Sequence, residues 1–178
     1  MNKNVLALIF CFLIFFQGLK ANALTLNCEQ SKITYSLSCL GIVFKKKDLP
    51  VKGDVEIETV DSSFVLKNLN LITSFTSKNP LFRKVIDYDR YPYVQFDSLI
   101  EAPIVLNENR IIELEGILTF HGVAKKMKIP LTCLKQNDSV LLTGPLIIPM
   151  TEFGIIPPRI LFIKVDDFIK LNIELLIK

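Results

Sequence analysis

Residues 111–123 read Ile-Ile-Glu-Leu-Glu-Gly-Ile-Leu-Thr-Phe-His-Gly-Val, and this stretch decides the fold class. From Ile112 to Phe120 an apolar residue or glycine stands at every second position, and polar residues occupy most of the positions between them. A period of two is typical of a β-strand that buries one face. His121 and Gly122 interrupt the pattern, and a second alternating run follows at residues 125–134. The stretch therefore predicts an antiparallel hairpin.

The same alternation extends through most of the chain, and no long segment has a helical period. The pattern predicts strands at residues 33–44, 54–59, 64–75, 93–106, 111–120, 125–134, 140–148 and 160–177, the last of them broken at Asp166-Asp167. In the first and third of these the apolar phase slips by one residue, which indicates a β-bulge. About eight antiparallel strands with short turns predict an all-β barrel, because closure removes exposed sheet edges.

One segment between the middle strands has helical signals. Asn79 is a good N-cap and Pro80 suits the first helical position, and Leu81, Phe82, Val85 and Ile86 supply a short apolar face. We therefore predict a helix of one or two turns here, at one mouth of the barrel.

The N-terminal residues 1–23 have the features of a secretory signal peptide. Lys3 precedes an unbroken apolar run at residues 5–16, and Ala21-Asn22-Ala23 is a small-x-small cleavage site. Removing this segment takes away Lys3 and Lys20, so the formal net charge falls from +3 to +1. We expect an exported, periplasmic protein whose single domain spans residues 24–178.

Cleavage also discards Cys11 and leaves Cys28, Cys39 and Cys133. Three cysteines in an exported protein allow one disulfide and one remaining thiol, or an intermolecular bridge. The spacing selects none of the three possible pairings. No C-x-x-C pattern occurs, and the single His121 does not complete a usual zinc site, so we expect no metal.

The composition offers little for catalysis or for nucleic-acid binding. A net charge near zero gives no electrostatic footprint for nucleic acid. His121 is the only histidine that could act as a general base, and it lies in a turn. No glycine-rich loop has the spacing of a phosphate cradle. We therefore expect a protein that is not an enzyme and carries no cofactor.

Four short motifs occur in order along the mature chain. They are Ser74-Phe75-Thr76-Ser77-Lys78-Asn79, Tyr91-Pro92 with Phe96 and Ser98, Gly116-Ile117-Leu118-Thr119 with Gly122-Val123, and Glu152-Phe153-Gly154-Ile155. In this order and spacing the chain resembles the YceI-like family of periplasmic, lipocalin-like barrels over roughly residues 25–178. Two features depart from the family pattern: the helical segment after Asn79 is short, and Glu152 stands where an Asp is commoner.

The resemblance implies an eight-stranded antiparallel, lipocalin-like barrel with an elongated apolar tunnel for a polyisoprenoid or similar long-chain lipid. It also makes a homodimer an open expectation. The expected lining residues are Phe75, Phe82, Phe96, Leu114, Leu118, Phe120, Ile129, Leu131, Phe153 and Ile163.

Two other functions compete with lipid binding. Strand alternation alone also fits an outer-membrane barrel. Against this stand the absence of Trp, the four scattered Tyr residues and the charges at mid-strand. A cysteine-based redox protein is the other alternative, but Cys39 and Cys133 fall on apolar strand faces, where a reactive thiolate is disfavoured.

Overall fold

The computed structural model describes residues 24–75, 80–106, 109–160 and 162–178, so the predicted signal peptide lies outside the described residues. Its strands are β1 (Lys32–Cys39), β2 (Ile42–Leu49), β3 (Val51–Val60), β4 (Ser63–Thr73), β5 (Val94–Ser98), β6 (Ile104–Val105), β7 (Arg110–Phe120), β8 (Val123–Gln136), β9 (Ser139–Pro149), β10 (Arg159–Ile160), β11 (Ile163–Lys164) and β12 (Phe168–Ile177). A short helix, α1, spans Pro80–Val85, and a single 3-10 turn spans Thr151–Phe153.

The strands form one long antiparallel sheet that curls into a lipocalin-like barrel. Its order is β2-β1-β12-β9-β8-β7-β5-β4-β3, with β6 paired to β4, while β10 and β11 form a separate hairpin. The sheet begins with β2 and ends with β3, and these two strands are separated only by Pro50. Counting β2 and β3 as one bent strand gives eight wall strands, which confirms the predicted all-β, antiparallel barrel.

Pro50 is where the bent strand changes partners. Before it, Leu49 pairs with Ile33 of β1, and after it, Val51 pairs with Thr73 of β4. Proline has no N–H to donate, so it fits a position where one ladder ends and the next begins. No ladder joins β2 to β3 in the part of the chain that the structure describes, and the continuous backbone completes the ring.

The strand predictions are correct in most places and wrong in three. The phase slip near Leu40-Gly41 is a hairpin turn between β1 and β2, in which both residues adopt positive φ (52° and 77°), and the β1–β2 ladder has a register shift nearby, between Leu37 and Ser38. The predicted strand at residues 93–106 is two strands, β5 and β6, and the part of the last predicted strand before Asp166 is the separate β10–β11 hairpin. The slip near Lys67 is a true bulge, since Asn68 pairs with Glu56 and Leu66 with Ile57.

The barrel wall separates apolar from charged side chains. The inward residues of β7, β8, β9 and β12 belong to one continuous buried core. On the outer face, Lys126 forms an ion pair with Glu115, and Lys128 lies 3.6 Å from Glu113. A barrel that crosses a membrane has the opposite polarity, with its apolar side chains outward. The observed arrangement therefore suits a wall that faces water.

Helix α1 begins at Pro80, as predicted, although its expected N-cap Asn79 lies outside the described residues. The helix has six residues, and Ile86 directly after it is buried in the core. Burial of Ile86 fixes the connection between β4 and β5 to the barrel. In the described ranges, no helix has the length and apolar character needed to cross a membrane.

Candidate functional site

The centre of the barrel contains a small cavity that is almost entirely apolar. Its volume is about 20 Å³, room for about one water molecule. Seven of the eight wall strands contribute to its lining, which consists of Ile33, Leu71, Thr73, Val94, Phe96, Leu118, Ile129, Leu146, Leu171 and Ile173. Thr73 is the one polar residue among them. At this level the inward side chains therefore nearly meet across the barrel axis.

The predicted lining residues divide among several places. Phe96, Leu118 and Ile129 line the central cavity. The core also buries Phe75, Leu114, Phe120, Leu131 and Phe153 at other levels. The side chain of Phe82 lies outside the described residues. Ile163 is 46% exposed on the β10–β11 hairpin, so it does not line the interior.

Sequence reasoning did not select the remaining lining residues, although most carried a usable signal. Leu171 and Ile173 stand on the apolar face of an alternating strand, and they line the cavity. Thr73 had no such signal, because a threonine at the end of a strand is ordinary in sequence. Its role depends on the Pro50 corner, where its hydroxyl donates a hydrogen bond to the Pro50 carbonyl oxygen at 2.7 Å.

Four aromatic rings, Tyr35, Phe75, Phe120 and Phe153, form a chain of contacts that we call the plug. Their ring centroids are 5.1 Å apart for Tyr35 and Phe75, 5.4 Å for Phe75 and Phe120, and 5.9 Å for Phe120 and Phe153. These separations are typical of attractive aromatic pairs. All four side chains are almost fully buried, and burial raises the pKa of the Tyr35 hydroxyl.

The strand directions place the plug at one mouth of the barrel. Strands β4, β7 and β9 run in the same direction, because each is separated from the next by one antiparallel strand. Phe75 follows the end of β4, Phe120 ends β7, and Phe153 follows the end of β9. The plug therefore closes the mouth at which these three strands end, which we call the plugged mouth.

His121 supports the plug from the β7–β8 turn. It adopts positive φ (52°) in the β7–β8 turn, as expected for a hairpin residue. Its Nδ1 lies 2.9 Å from the Phe153 carbonyl oxygen. A carbonyl can only accept, so this nitrogen donates and fixes the tautomer. The hydrogen bond ties the loop that carries Phe153 to the β7–β8 turn.

A groove of about 310 Å³ lies outside the central cavity, at the end of β4. It is lined by Pro50, Lys52, Ile72, Thr73, Ser74, Tyr88 and Tyr93. Thr73 lines both this groove and the central cavity, so the two spaces share one wall residue. The groove combines one cation, several hydroxyl groups and apolar surface.

Cys28, Cys39 and Cys133 are all unpaired, so the described part of the chain does not contain the expected disulfide. Each thiol lies against a different backbone carbonyl: Cys28 against Gly53, Cys39 against Lys164 at 3.3 Å, and Cys133 against Leu106 at 3.1 Å. Cys133 faces the core, as predicted, whereas Cys39 is only half-buried at the end of β1. Burial raises the pKa of the Cys133 thiol.

We expect the three thiols to differ in reactivity towards a disulfide reagent such as Ellman's reagent. Cys28 and Cys39 should be modified in the folded protein, whereas Cys133 should react at least about tenfold more slowly, because it is buried and its thiolate is disfavoured. Mass spectrometry of modified peptides over time would measure each rate. All three should react in denaturant without a reductant, and fewer than three reactive thiols there would contradict the structure.

The described residues contain no group of three or more His, Cys, Asp or Glu side chains placed to hold a metal ion. The apolar cavity, the plug and the groove are the main features of the barrel interior and its mouth. Together they suit the holding of an apolar or amphiphilic molecule.

Comparison with known proteins identifies relatives by family model and by structure. The model described as the YceI-like domain matches residues 25–177. No curated protein matches the chain in sequence.

Two solved structures have a similar fold over most of the chain. BcnA from Burkholderia cenocepacia has 17% sequence identity and a TM-score of 0.61, covering 85% of this chain and 98% of BcnA. A polyisoprenoid binding domain from Saccharophagus degradans, described as implicated in plant cell wall breakdown, has 10% identity and a TM-score of 0.64, covering 88% and 98%. At these identities the likeness concerns the fold.

Proposed function

Because the chain belongs to the YceI-like family, we propose that it is a lipid-binding protein that holds a polyisoprenoid or similar long-chain amphiphile in its barrel. The observation that carries this proposal is the central cavity, in which nine of the ten lining residues are apolar. The polyisoprenoid-binding domain with the same fold supports the choice of ligand class.

The energetics favour an alkyl or isoprenoid chain over a polar ligand. Each methylene of a ligand that leaves water contributes about 0.8 kcal/mol of favourable transfer free energy. A polar group buried in the same place must find a hydrogen-bond partner to offset its loss of hydration. Thr73 is the only polar residue in the lining, and its hydroxyl already donates to Pro50. The cavity therefore has little to offer a polar ligand.

Binding requires the interior to open. A cavity of about 20 Å³ is far smaller than the roughly 300–1,000 Å³ of ordinary ligand pockets. A long chain at this level must therefore displace lining side chains. The 310 Å³ groove beside Thr73 is the proposed place for the polar end of the amphiphile, since it offers Lys52, Ser74 and two tyrosines.

We also infer that the chain acts by holding its ligand and not by transforming it. Nδ1 of the single histidine is used by the Phe153 carbonyl oxygen, and Cys133 is a buried thiol with a raised pKa. Burial therefore disfavours the Cys133 thiolate as a nucleophile, and the hydrogen bond leaves Nε2 as the one nitrogen of His121 that can accept a proton.

The test is to purify the protein from its host, extract it with organic solvent and identify bound molecules by mass spectrometry. We expect a long-chain lipid in stoichiometric amount. Removing the lipid should lower the melting temperature and adding it back should raise it, because a ligand that binds only the folded state stabilises that state. Absence of lipid together with no stabilisation by added polyisoprenoid would overturn the proposal.

Leu118 and Ile117 provide a matched pair of variants for this test, because they are neighbours on β7 that face opposite sides of the wall. Leu118→Phe places a larger side chain in the cavity and should reduce the amount of bound lipid severalfold. Ile117→Phe enlarges a side chain on the outer face, so this variant should bind as much lipid as the parent. If Leu118→Phe does not fold, Val94→Leu adds one methylene to the same cavity. Equal lipid content in the inward and outward variants would place the ligand elsewhere.

We further propose that residues 1–23 are a cleaved signal peptide and that the mature protein is periplasmic. N-terminal sequencing of protein recovered after expression should begin at Leu24. A mature protein that still begins at Met1 would contradict this proposal.

A further inference from the structure

Two turns expose large apolar side chains, which together we call the apolar tip. Leu40 and Ile42, in and just after the β1–β2 turn, are 76% and 73% exposed. Phe162, in the β10–β11 hairpin, is 96% exposed, and its neighbour Ile163 is also exposed. Single exposed apolar residues are common, but several on adjacent turns mark a site of interaction.

Hydrogen bonds hold the two turns next to each other. The backbone N–H groups of Leu40 and Gly41 each donate to the Asp166 carboxylate at 3.1 Å. The Cys39 thiol lies 3.3 Å from the Lys164 carbonyl oxygen, so the end of β1 contacts β11, which begins directly after Phe162. The apolar tip is therefore one structural unit with side chains from both ends of the sequence.

Basic residues flank the apolar tip in the sequence. In the sequence, Lys45-Lys46-Lys47 follows the first turn, and Arg159 and Lys164 bracket the hairpin. No acidic residue occurs at residues 30–47 or 153–165. The nearest carboxylate that follows, Asp166, accepts the two turn N–H groups.

The tip lies at the plugged mouth. Strand β1 runs in the same direction as β9, because both pair antiparallel with β12. The turn after β1 therefore projects from the end of the barrel at which β9 delivers Phe153 into the plug. A surface that bound the tip would face this mouth.

We propose that the apolar tip inserts into the surface of a lipid bilayer that contains anionic lipid, with the plugged mouth towards the membrane. Apolar side chains flanked by Lys and Arg bind such surfaces by combining burial with attraction to anionic head groups. A standard protein–protein interface buries about 800 Å² on each partner. Two narrow turns offer less surface than this, so they are better suited to inserting between lipid head groups. In a two-fold dimer built on this patch, the cationic flanks would face each other.

Flotation with vesicles tests the proposal, using protein recovered after export. One set of vesicles is phosphatidylcholine alone, and the other contains about one-third phosphatidylglycerol to supply negative charge. We expect the protein to float mainly with the anionic vesicles. Raising the ionic strength to about 1 M, where the Debye length is about 3 Å, should weaken this binding.

Variants separate the apolar contribution from the charged one. Ile42→Ser with Phe162→Ser should weaken partitioning about tenfold or more, because two inserted apolar side chains are lost. Arg159→Gln with Lys164→Gln should weaken binding to anionic vesicles by about tenfold and leave binding to neutral vesicles unchanged. Ile111→Ser is the matched control, since Ile111 is 70% exposed at the start of β7, at the opposite mouth, and its loss should have no effect.

Failure of the protein to float, or floating of the Ile42→Ser, Phe162→Ser variant as well as the parent, would overturn the proposal. If the parent protein is a dimer and this variant is a monomer, the apolar tip binds a second copy of the chain, and the membrane proposal is also overturned. Circular dichroism checks that each variant folds, and Phe162→Ser alone replaces any double variant that does not. Lipid recovered by extraction from a protein that does not float would leave the proposed ligand intact and reject only the membrane contact.

Discussion

The Gly116→Val variant is expected to lose about 3–5 kcal/mol of folding free energy, a large fraction of the roughly 5–15 kcal/mol of an ordinary domain. A Cβ atom at Gly116 would lie 2.4 Å from Cζ of Phe96 and 2.5 Å from the Asp97 carbonyl oxygen. The ring can move, but the carbonyl belongs to β5, which pairs directly with β7. Urea unfolding followed by circular dichroism would measure the loss.

A double-mutant cycle with Phe96→Ala shows whether the ring is responsible. Phe96→Ala alone should cost about 3–5 kcal/mol, because it removes a buried aromatic side chain. The two changes partly compensate each other in size, so the combined variant should cost less than the sum of the single costs. Additive costs would contradict the proposed packing of Phe96 over Gly116.

The Phe120→Ala variant is expected to lose about 3–5 kcal/mol, the usual cost of deleting a buried phenyl ring. Phe120 is almost fully buried and contacts both Phe75 and Phe153, so its removal interrupts the plug. Under the proposed function, this variant should also exchange bound lipid severalfold faster. Urea unfolding and the release rate of a fluorescent fatty acid would provide the two measurements.

Ile111→Ala is the control for Phe120→Ala, because it removes an exposed apolar side chain from the same strand. Its cost should stay within about 0.5 kcal/mol. A Phe120→Ala cost below about 1 kcal/mol would mean that the neighbouring rings fill the space, and the plug would then not be a specific structure.

The period-two pattern was sufficient to predict the fold class, since residues on the apolar faces of β7, β8 and β12 are in the core. The pattern could not separate a bulge from a turn. The phase slips near Leu40 and near Lys67 look alike in sequence. Only the first has two consecutive residues with positive φ, where the strand reverses direction.

The site was less accessible to sequence reasoning than the fold. Alternation indicates which residues face inward but not at which height along the barrel axis, so it could not separate the cavity from the plug. Ile163 was misplaced because its two-residue strand belongs to a hairpin outside the barrel wall. The role of Thr73 depends on Pro50, more than twenty residues away, and such a contact leaves no local signal.

The pairing of β1 with β12 has a consequence for how the chain folds. Strand β12 forms ladders with β1 on one side and β9 on the other, so the last strand in the sequence joins the first strand to the rest of the sheet. Such distant pairings form late and slowly, because the entropic cost of closing a long loop comes before the stabilising contacts form. A nascent chain that has not yet released β12 leaves β1 and β9 as open sheet edges, on which strands of other chains can add. The risk of aggregation through these edges therefore ends only when the ten-residue strand β12 pairs with both β1 and β9.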